Sequence, residues 1–208
     1  MMPKYTKSDI RYTIRGPEFR KIIRNTRNLR DKAFLSILYC TGARPSEVSG
    51  DLDCGKTGMT FGDIKFREGT VTFYVPVSKI KKDKYAIEKR PLTLEYDPNN
   101  IDLPIKIIMR FIEDAIRSYK RNKLTLTVDV PMFKFTRRTG YNIVNRAGKV
   151  LGVEICPYNF RHSRLTQLSE QGAGIETLMY FKGSNDIKSI QPYLHAKEVK
   201  FKLKEDEK

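Results

Sequence analysis

The chain has 208 residues, 39% of them hydrophobic, which is enough for one domain with a real core. Forty Lys and Arg against 24 Asp and Glu give a net charge of +16, and a globular chain this basic points to a polyanion, nucleic acid ahead of an anionic membrane surface. The composition also argues against other classes. The longest apolar run, AFLSILYC (33–40), is too short to span a bilayer, and MMPKYTKSDIRYTI lacks the apolar core of a secretory signal. Three scattered cysteines (Cys40, Cys54, Cys156) and two histidines (His162, His195) have no metal-ligand spacing and suit a reducing compartment.

Residues 1–15 are polar and basic and read as an arm. Pro17 in GPEFRKIIRNT suits the first turn of a helix. LRDKAFLSILYCTG (29–42) reads as a buried helix stopped by Gly42, and Pro45 in RPSEVSG opens a short one. DCGKTGMTFG (53–62) is rich in turn residues and reads as a loop. DIKF (63–66) and TVTFYVPV (70–77) flank the turn REG and have the β-branched and aromatic bias of strands. SKIKKDK (78–84) is a second, very basic turn. YAIEKRPLTL (85–94) follows as a third strand, and Pro91 places it on an edge because proline lacks the ladder donor.

After DPNN (97–100) the pattern turns helical. LPIKIIMRFIEDAIRSYKR (103–121) sets Ile105, Ile108, Ile112, Ala115 and Tyr119 on one stripe. TRRTGYNIVNRAGKVLG (136–152) is a basic helix, FRHSRLTQLSEQG (160–172) another, ETLMYFKG (176–183) a short one, and NDIKSI (185–190) one more. The expected fold is mainly α with a small antiparallel three-stranded sheet, an α+β class.

Several residues can carry chemistry. Residues 79–90, KIKKDKYAIEKR, hold six Lys or Arg in twelve positions; on a hairpin they reach phosphates, or they form an ordinary solvated turn. Arg44, between a helix-stop glycine and Pro45, is placed either as a phosphate clamp or as a surface arginine. Arg161 in NFRHSR faces a ligand or pairs with Glu47 or Glu170. Tyr193 in SIQPYLHAKEV is either core filler or a nucleophile. A phenol, with a pKa of about 10, is a weak nucleophile. Attack on a phosphodiester needs arginines to neutralise the phosphorane, a base for the phenolic proton and an acid for the leaving oxygen. It needs no metal if arginines carry the charge.

RDKAFLSILYCTGARPSEV (30–48) resembles the first signature of the tyrosine recombinases, the phage-integrase and Xer-type group. PMFKFTRRTGYNIVNRAGKVLGVEICPYNFRHSRLTQLSEQG (131–172) is similar to the segment that carries the family's Arg-His pair, and FKGSNDIKSIQPYLH (181–195) to the segment that ends at its nucleophile. Ser184 lies 23 positions after Arg161, and Tyr193 nine after Ser184, both typical of the family. The resemblance covers residues 17–196 and implies a tyrosine-recombinase-like catalytic domain over 16–196, between the arm of 1–15 and a charged tail, 197–208, that docks on a neighbouring subunit.

The resemblance also implies roles. Arg44 and Arg161 would be the phosphate-binding arginines, Lys79 the general acid with Lys81 as its alternative, Glu47 a structural carboxylate behind Arg44, and Tyr193 the residue that forms a 3′-phosphotyrosyl link. The chain departs from the family where Tyr158 and Ser184 stand in place of its usual histidine, and histidine or tryptophan. Either hydroxyl is able to donate to a phosphate oxygen, and Ser184 equally to cap the helix that follows it. His162 is then the substitute base, although the family usually packs a histidine behind the site at this position. Lys81, Lys82, Lys84, Arg137 and Arg138 are candidate DNA contacts.

The implied function is site-specific recombination of double-stranded DNA by a homotetramer on synapsed duplexes, with no cofactor, no metal and no membrane partner. Its expected place is the cytoplasm, on DNA, or the host cytoplasm for a viral element. The alternatives are a non-catalytic DNA-binding descendant of a recombinase, a telomere resolvase or a type IB topoisomerase. Many family members add an N-terminal clamp domain, whereas here only the basic arm precedes the catalytic region.

Overall fold

The computed structural model describes residues 12–51, 55–77, 89–184 and 186–194. Residues 12–15 run along the body of the protein. Ile14 is fully buried, its amide donates to Ser163 Oγ at 2.7 Å, and the Tyr12 carbonyl accepts from Asn159 Nδ2 at 3.2 Å. Ile14 therefore belongs to the core although it falls within the arm expected over residues 1–15; residues 1–11 lie outside the described residues.

Helix α1 (Gly16–Asn25) starts with Pro17 in its first turn and the Arg15 amide donating to Glu18 Oε2 at 3.1 Å. It buries Phe19, Ile22 and Ile23, an i, i+3, i+4 stripe. Helix α2 (Leu29–Thr41) is capped by Asn28, whose side chain accepts from the Arg30 amide at 2.8 Å, and is stopped by Gly42 in the left-handed region (φ 61°). Ala33 to Leu38 are all buried, so α2 runs through the middle of the domain. Helix α3 (Pro45–Ser49) follows three residues later.

Strands β1 (Gly50–Asp51) and β2 (Lys56–Thr57) form a two-residue ribbon. This corrects the loop expected over 53–62. The strands are too short to show alternation, and they form because Gly58 lets two backbones meet: a Cβ there would stand 2.2 Å from the Gly50 nitrogen. Strands β3 (Ile64–Arg67), β4 (Thr70–Pro76) and β5 (Lys89–Glu95) make the expected antiparallel sheet in the order β3-β4-β5. Pro91 is on an edge strand, as predicted. Along the inward face, Val71 pairs with Leu94, Phe73 with Leu92, and Val75 with Arg90.

Helix α4 (Leu103–Arg121) packs its first half on α2 through Ile105 and Ile108, while Ile112, Ala115 and Tyr119 of the predicted stripe stay half-buried. Helix α5 (Arg137–Gly148) is capped by Thr136 Oγ1. Its Gly140 allows close approach to Phe34, which sits edge-on to Phe133 and Phe135 at centroid distances of 5.5 and 5.1 Å.

Helix α6 (Pro157–Glu170) begins before the predicted Phe160. Pro157 supplies the first turn, and Asn159 Oδ1 accepts from the Cys156 amide at 2.8 Å. Helix α7 (Ile175–Lys182) ends at Gly183. The helix predicted over 185–190 is a single 3-10 turn, Ile187–Ser189, capped by Asp186, with a second turn at Gln191–Tyr193. No described helix is long and apolar enough to cross a membrane.

Candidate active site

The short loop between α2 and α3 creates the first half of the site. Gly42 ends one helix, Pro45 begins the next, and Arg44 is the cap between them. The Arg44 amide donates to Glu47 Oε2 at 2.8 Å, and its Nη1 to Glu47 Oε1 at 2.6 Å. The Glu47 side chain is fully buried, whereas that of Arg44 is 39% exposed. Arg44 therefore has one face anchored and one facing outward.

Arg161 approaches from α6. Its Nη1 donates to the Gly42 carbonyl at 3.0 Å, and its buried Nη2 has no hydrogen-bond partner among the described residues. Arg90 approaches from β5 and donates from Nη2 to Glu47 Oε2 at 3.4 Å.

Three guanidinium groups thus surround one buried carboxylate. Burial lowers the Arg161 pKa to about 10; the Arg44 charge adds to that effect and Glu47 opposes it. Arg161 still carries its charge at neutral pH. Burial alone would raise the Glu47 carboxyl, but the Arg90 charge, the Arg44 amide and the Arg44 charge outweigh it and hold it below the usual carboxylate range. The cradle holds excess positive charge and an unmet buried donor, which suits a bound anion.

The second half of the site lies on α6 and the turns that follow α7. Tyr158, Arg161 and His162 are three and four residues apart and so share one face of α6. Tyr193 is only 1% exposed. Its Oη lies 3.2 Å from His162 Nδ1 and 3.4 Å from Tyr158 Oη. The Lys182 ammonium sits 5.7 Å from its ring centroid.

The Tyr193 carbonyl accepts from the Ser169 hydroxyl, and its amide donates to the Ile190 carbonyl at 2.8 Å. Burial raises the phenol's pKa, the Tyr158 hydroxyl raises it further, and Arg161 pulls it back. Tyr193 is therefore a neutral phenol in this arrangement and must lose its proton to react. Ser184 Oγ accepts from the Asp186 amide at 3.3 Å and the Ser189 hydroxyl at 3.2 Å, so it braces the turn while Asp186 caps it.

The fold brings Arg44, Glu47 and Arg161 together at one end and Tyr158, His162 and Tyr193 at the other, joined through α6. Arg161 does not pair with Glu170, which binds Arg15 at 2.7 Å. Arg137 and Arg138 are exposed on the first turn of α5. Cations are unfavourable at that end of a helix dipole, so they are not there to stabilise it. Lys79, Lys81, Lys82 and Lys84 lie outside the described residues.

Two site residues escaped the sequence reading. Arg90 was hidden in the charge run 79–90, and the structure turns it inward in the same row as Leu92. Lys182 lies two positions before Ser184 and was read only as helix. Among the described residues, no group of three or more His, Cys, Asp or Glu is placed to hold a metal.

The chain is similar to known proteins. The chain is 27% identical to the tyrosine recombinase XerD of Yersinia pestis over 174 residues, which is 81% of this chain and 50% of the relative. It is 26% identical to the tyrosine recombinase XerA of Pyrococcus horikoshii over 194 residues, 92% of this chain and 59% of the relative. The chain thus spans about half the length of the curated relatives it matches. Among solved structures, the XerH site-specific recombinase bound to its difH substrate superposes with a TM-score of 0.60 at 15% identity, over 94% of this chain and 51% of that one. At that identity the likeness shows the fold. Residues 13–199 match the model of the phage integrase family, and the chain belongs to that family.

Proposed function

We propose that this chain is the catalytic part of a site-specific DNA recombinase that cuts and rejoins duplex DNA through a 3′-phosphotyrosyl link on Tyr193. One observation carries the reading: a tyrosine hydroxyl within 3.2 Å of an imidazole nitrogen, on the same helix face that contributes Arg161 to a cradle of guanidinium groups. No simple binding protein needs that combination.

Arg44 and Arg161 hold the non-bridging oxygens of the scissile phosphate and neutralise the charge of the phosphorane. Glu47 orients Arg44. His162 Nδ1 takes the Tyr193 proton as Oη attacks phosphorus. The bond from phosphorus to the 5′ oxygen breaks, and that oxygen receives a proton from Lys79 or Lys81. One phosphodiester is replaced by one phosphotyrosyl ester, so a partner strand's 5′ hydroxyl reverses the step without an external energy source. Tyr158 and Ser184 donate hydroxyl hydrogen bonds to phosphate oxygens.

Lys81, Lys82, Lys84, Arg137 and Arg138 bind the DNA backbone, which makes affinity fall steeply with salt. Full exchange requires four copies on two duplexes. The catalytic domain spans residues 16–196 with residues 12–15 packed on it, and the tail 197–208 docks on the neighbouring copy. The protein works in the cytoplasm on DNA.

The alternative to be excluded is a DNA-binding protein that does not cleave. Nicked suicide duplexes on a denaturing gel separate the two. A covalent adduct absent from Tyr193→Phe supports the recombinase, while DNA binding without any adduct supports the binder.

A further inference from the structure

Arg90 occupies a position where the strand pattern calls for an apolar residue. It lies in the inward row of β5, two residues from Leu92 and paired across the ladder with Val75. Its side chain is 4% exposed, and burial lowers its pKa, with Glu47 opposing. Nε and Nη1 are buried with no hydrogen-bond partner among the described residues. A guanidinium so placed is costly. One bond of 3.4 Å to Glu47 is poor compensation if the pair served stability alone.

Its surroundings suggest what the charge does. Glu47 divides its two oxygens: Oε1 takes the Arg44 guanidinium, and Oε2 takes both the Arg44 amide and Arg90. On its other side the Arg90 guanidinium fills the space that Gly183 leaves. A Cβ at Gly183 would stand 1.6 Å from Arg90 Nη1 and 2.9 Å from Cζ. Gly183 is the left-handed cap of α7 (φ 59°), and the next residue is Ser184. The strand and helix are also tied directly, since the Tyr180 hydroxyl of α7 donates to the Pro91 carbonyl at 3.0 Å.

From this geometry we infer that Arg90 is a positioning residue for the strand-transfer chemistry: it steadies Glu47, and through it Arg44, and is the wall on which the Gly183–Ser184 turn rests. It therefore sets the spacing between the phosphate cradle and the segment that leads to Tyr193. The inference rests on the recombinase reading above. Gly183 then meets two needs at once, the left-handed backbone that caps α7 and the space that the Arg90 guanidinium takes, and the buried arginine in an apolar row has a role. A small misplacement of reacting groups costs about a hundredfold in rate, so the effect should be kinetic.

The test is single-turnover cleavage of a nicked suicide duplex, with DNA affinity and Tm measured in parallel, for the wild type, Arg90→Met, Arg90→Lys, Gly183→Ala and the double variant Arg90→Lys with Gly183→Ala. Arg90→Met should cleave about a hundredfold more slowly, and Arg90→Lys about tenfold, with DNA affinity within about twofold of wild type. Gly183→Ala should resemble Arg90→Met. The double variant should cleave faster than Gly183→Ala alone, because the slimmer lysine head vacates the position the new methyl group needs.

A merely structural Arg90 would lower Tm and leave the cleavage rate of the folded variants unchanged. If Arg90→Met does not fold, Arg90→Lys and the rescue decide. Folded Arg90 variants that cleave within threefold of wild type, or a double variant no faster than Gly183→Ala, overturn the positioning role and leave the recombinase reading intact. A wild-type protein that binds DNA but forms no adduct overturns both.

Discussion

The arginine cradle and the tyrosine segment are built in opposite ways. Arg44, Glu47, Arg90 and Arg161 come from a helix cap, a short helix, a sheet strand and a long helix, and all but Arg44 are buried. Moving any of them disturbs regular structure. Beyond Gly183 the described residues form two three-residue 3-10 turns, held to the body by side-chain bonds from Ser169 and Lys182 and by the contacts of Tyr193 itself. Such turns have poorer hydrogen-bond geometry than α-helix, and weakly bonded segments open at lower cost than core elements. The contrast teaches that the arginine cradle is part of the fold, while Tyr193 is carried by a segment that is separately held.

The contrast can be broken from either side, and the largest effect should come from the cradle. Arg161→Ala should slow cleavage of a suicide duplex by about a thousandfold, since it removes a preorganised charge from the transition state. Glu47→Gln should lower stability by about 3 kcal/mol in urea unfolding at neutral pH, because Arg90 then stays buried without its counter-charge.

The pH dependence of the same pair has a definite sign. The Glu47 carboxyl is held below its unfolded value, so its contribution is complete above the ordinary carboxylate range and is lost as pH falls through the depressed folded value. Unfolding midpoints of wild type should therefore drop toward acid more steeply than those of Glu47→Gln. On the Tyr193 side, His162→Ala should reduce cleavage about a hundredfold with DNA affinity unchanged. The smallest effect belongs to the outer surface. Arg137→Gln should leave the cleavage rate of bound DNA unchanged and reduce the salt slope of binding by about one.

How much of this was readable in advance follows from how local each signal is. The loop around Arg44 was legible because a left-handed glycine, a proline and a glutamate three residues on are short-range chemistry. The sheet and its edge proline were legible from the β-branched and aromatic bias around a turn and from the missing proline donor. The start of α6 was misplaced because its reciprocal bond joins the Cys156 amide to the Asn159 side chain, a pair that carries no strong cap signature. Arg90 escaped because its inward direction depends on pairing with Val75, and a run of six charges masks the register. The Tyr193–His162 contact joins residues 31 apart through a turn whose path no periodicity specifies.

The central claim is that Tyr193, silent and buried against His162, becomes a nucleophile toward a phosphate held by Arg44 and Arg161. Its most direct measurement is the mass of the protein after incubation with a nicked suicide duplex, followed by peptide mapping. The account predicts a covalent 3′-phosphoryl-DNA adduct on the peptide that contains Tyr193, and none in Tyr193→Phe with DNA binding retained. An adduct on another residue, or one that persists in Tyr193→Phe, would contradict it.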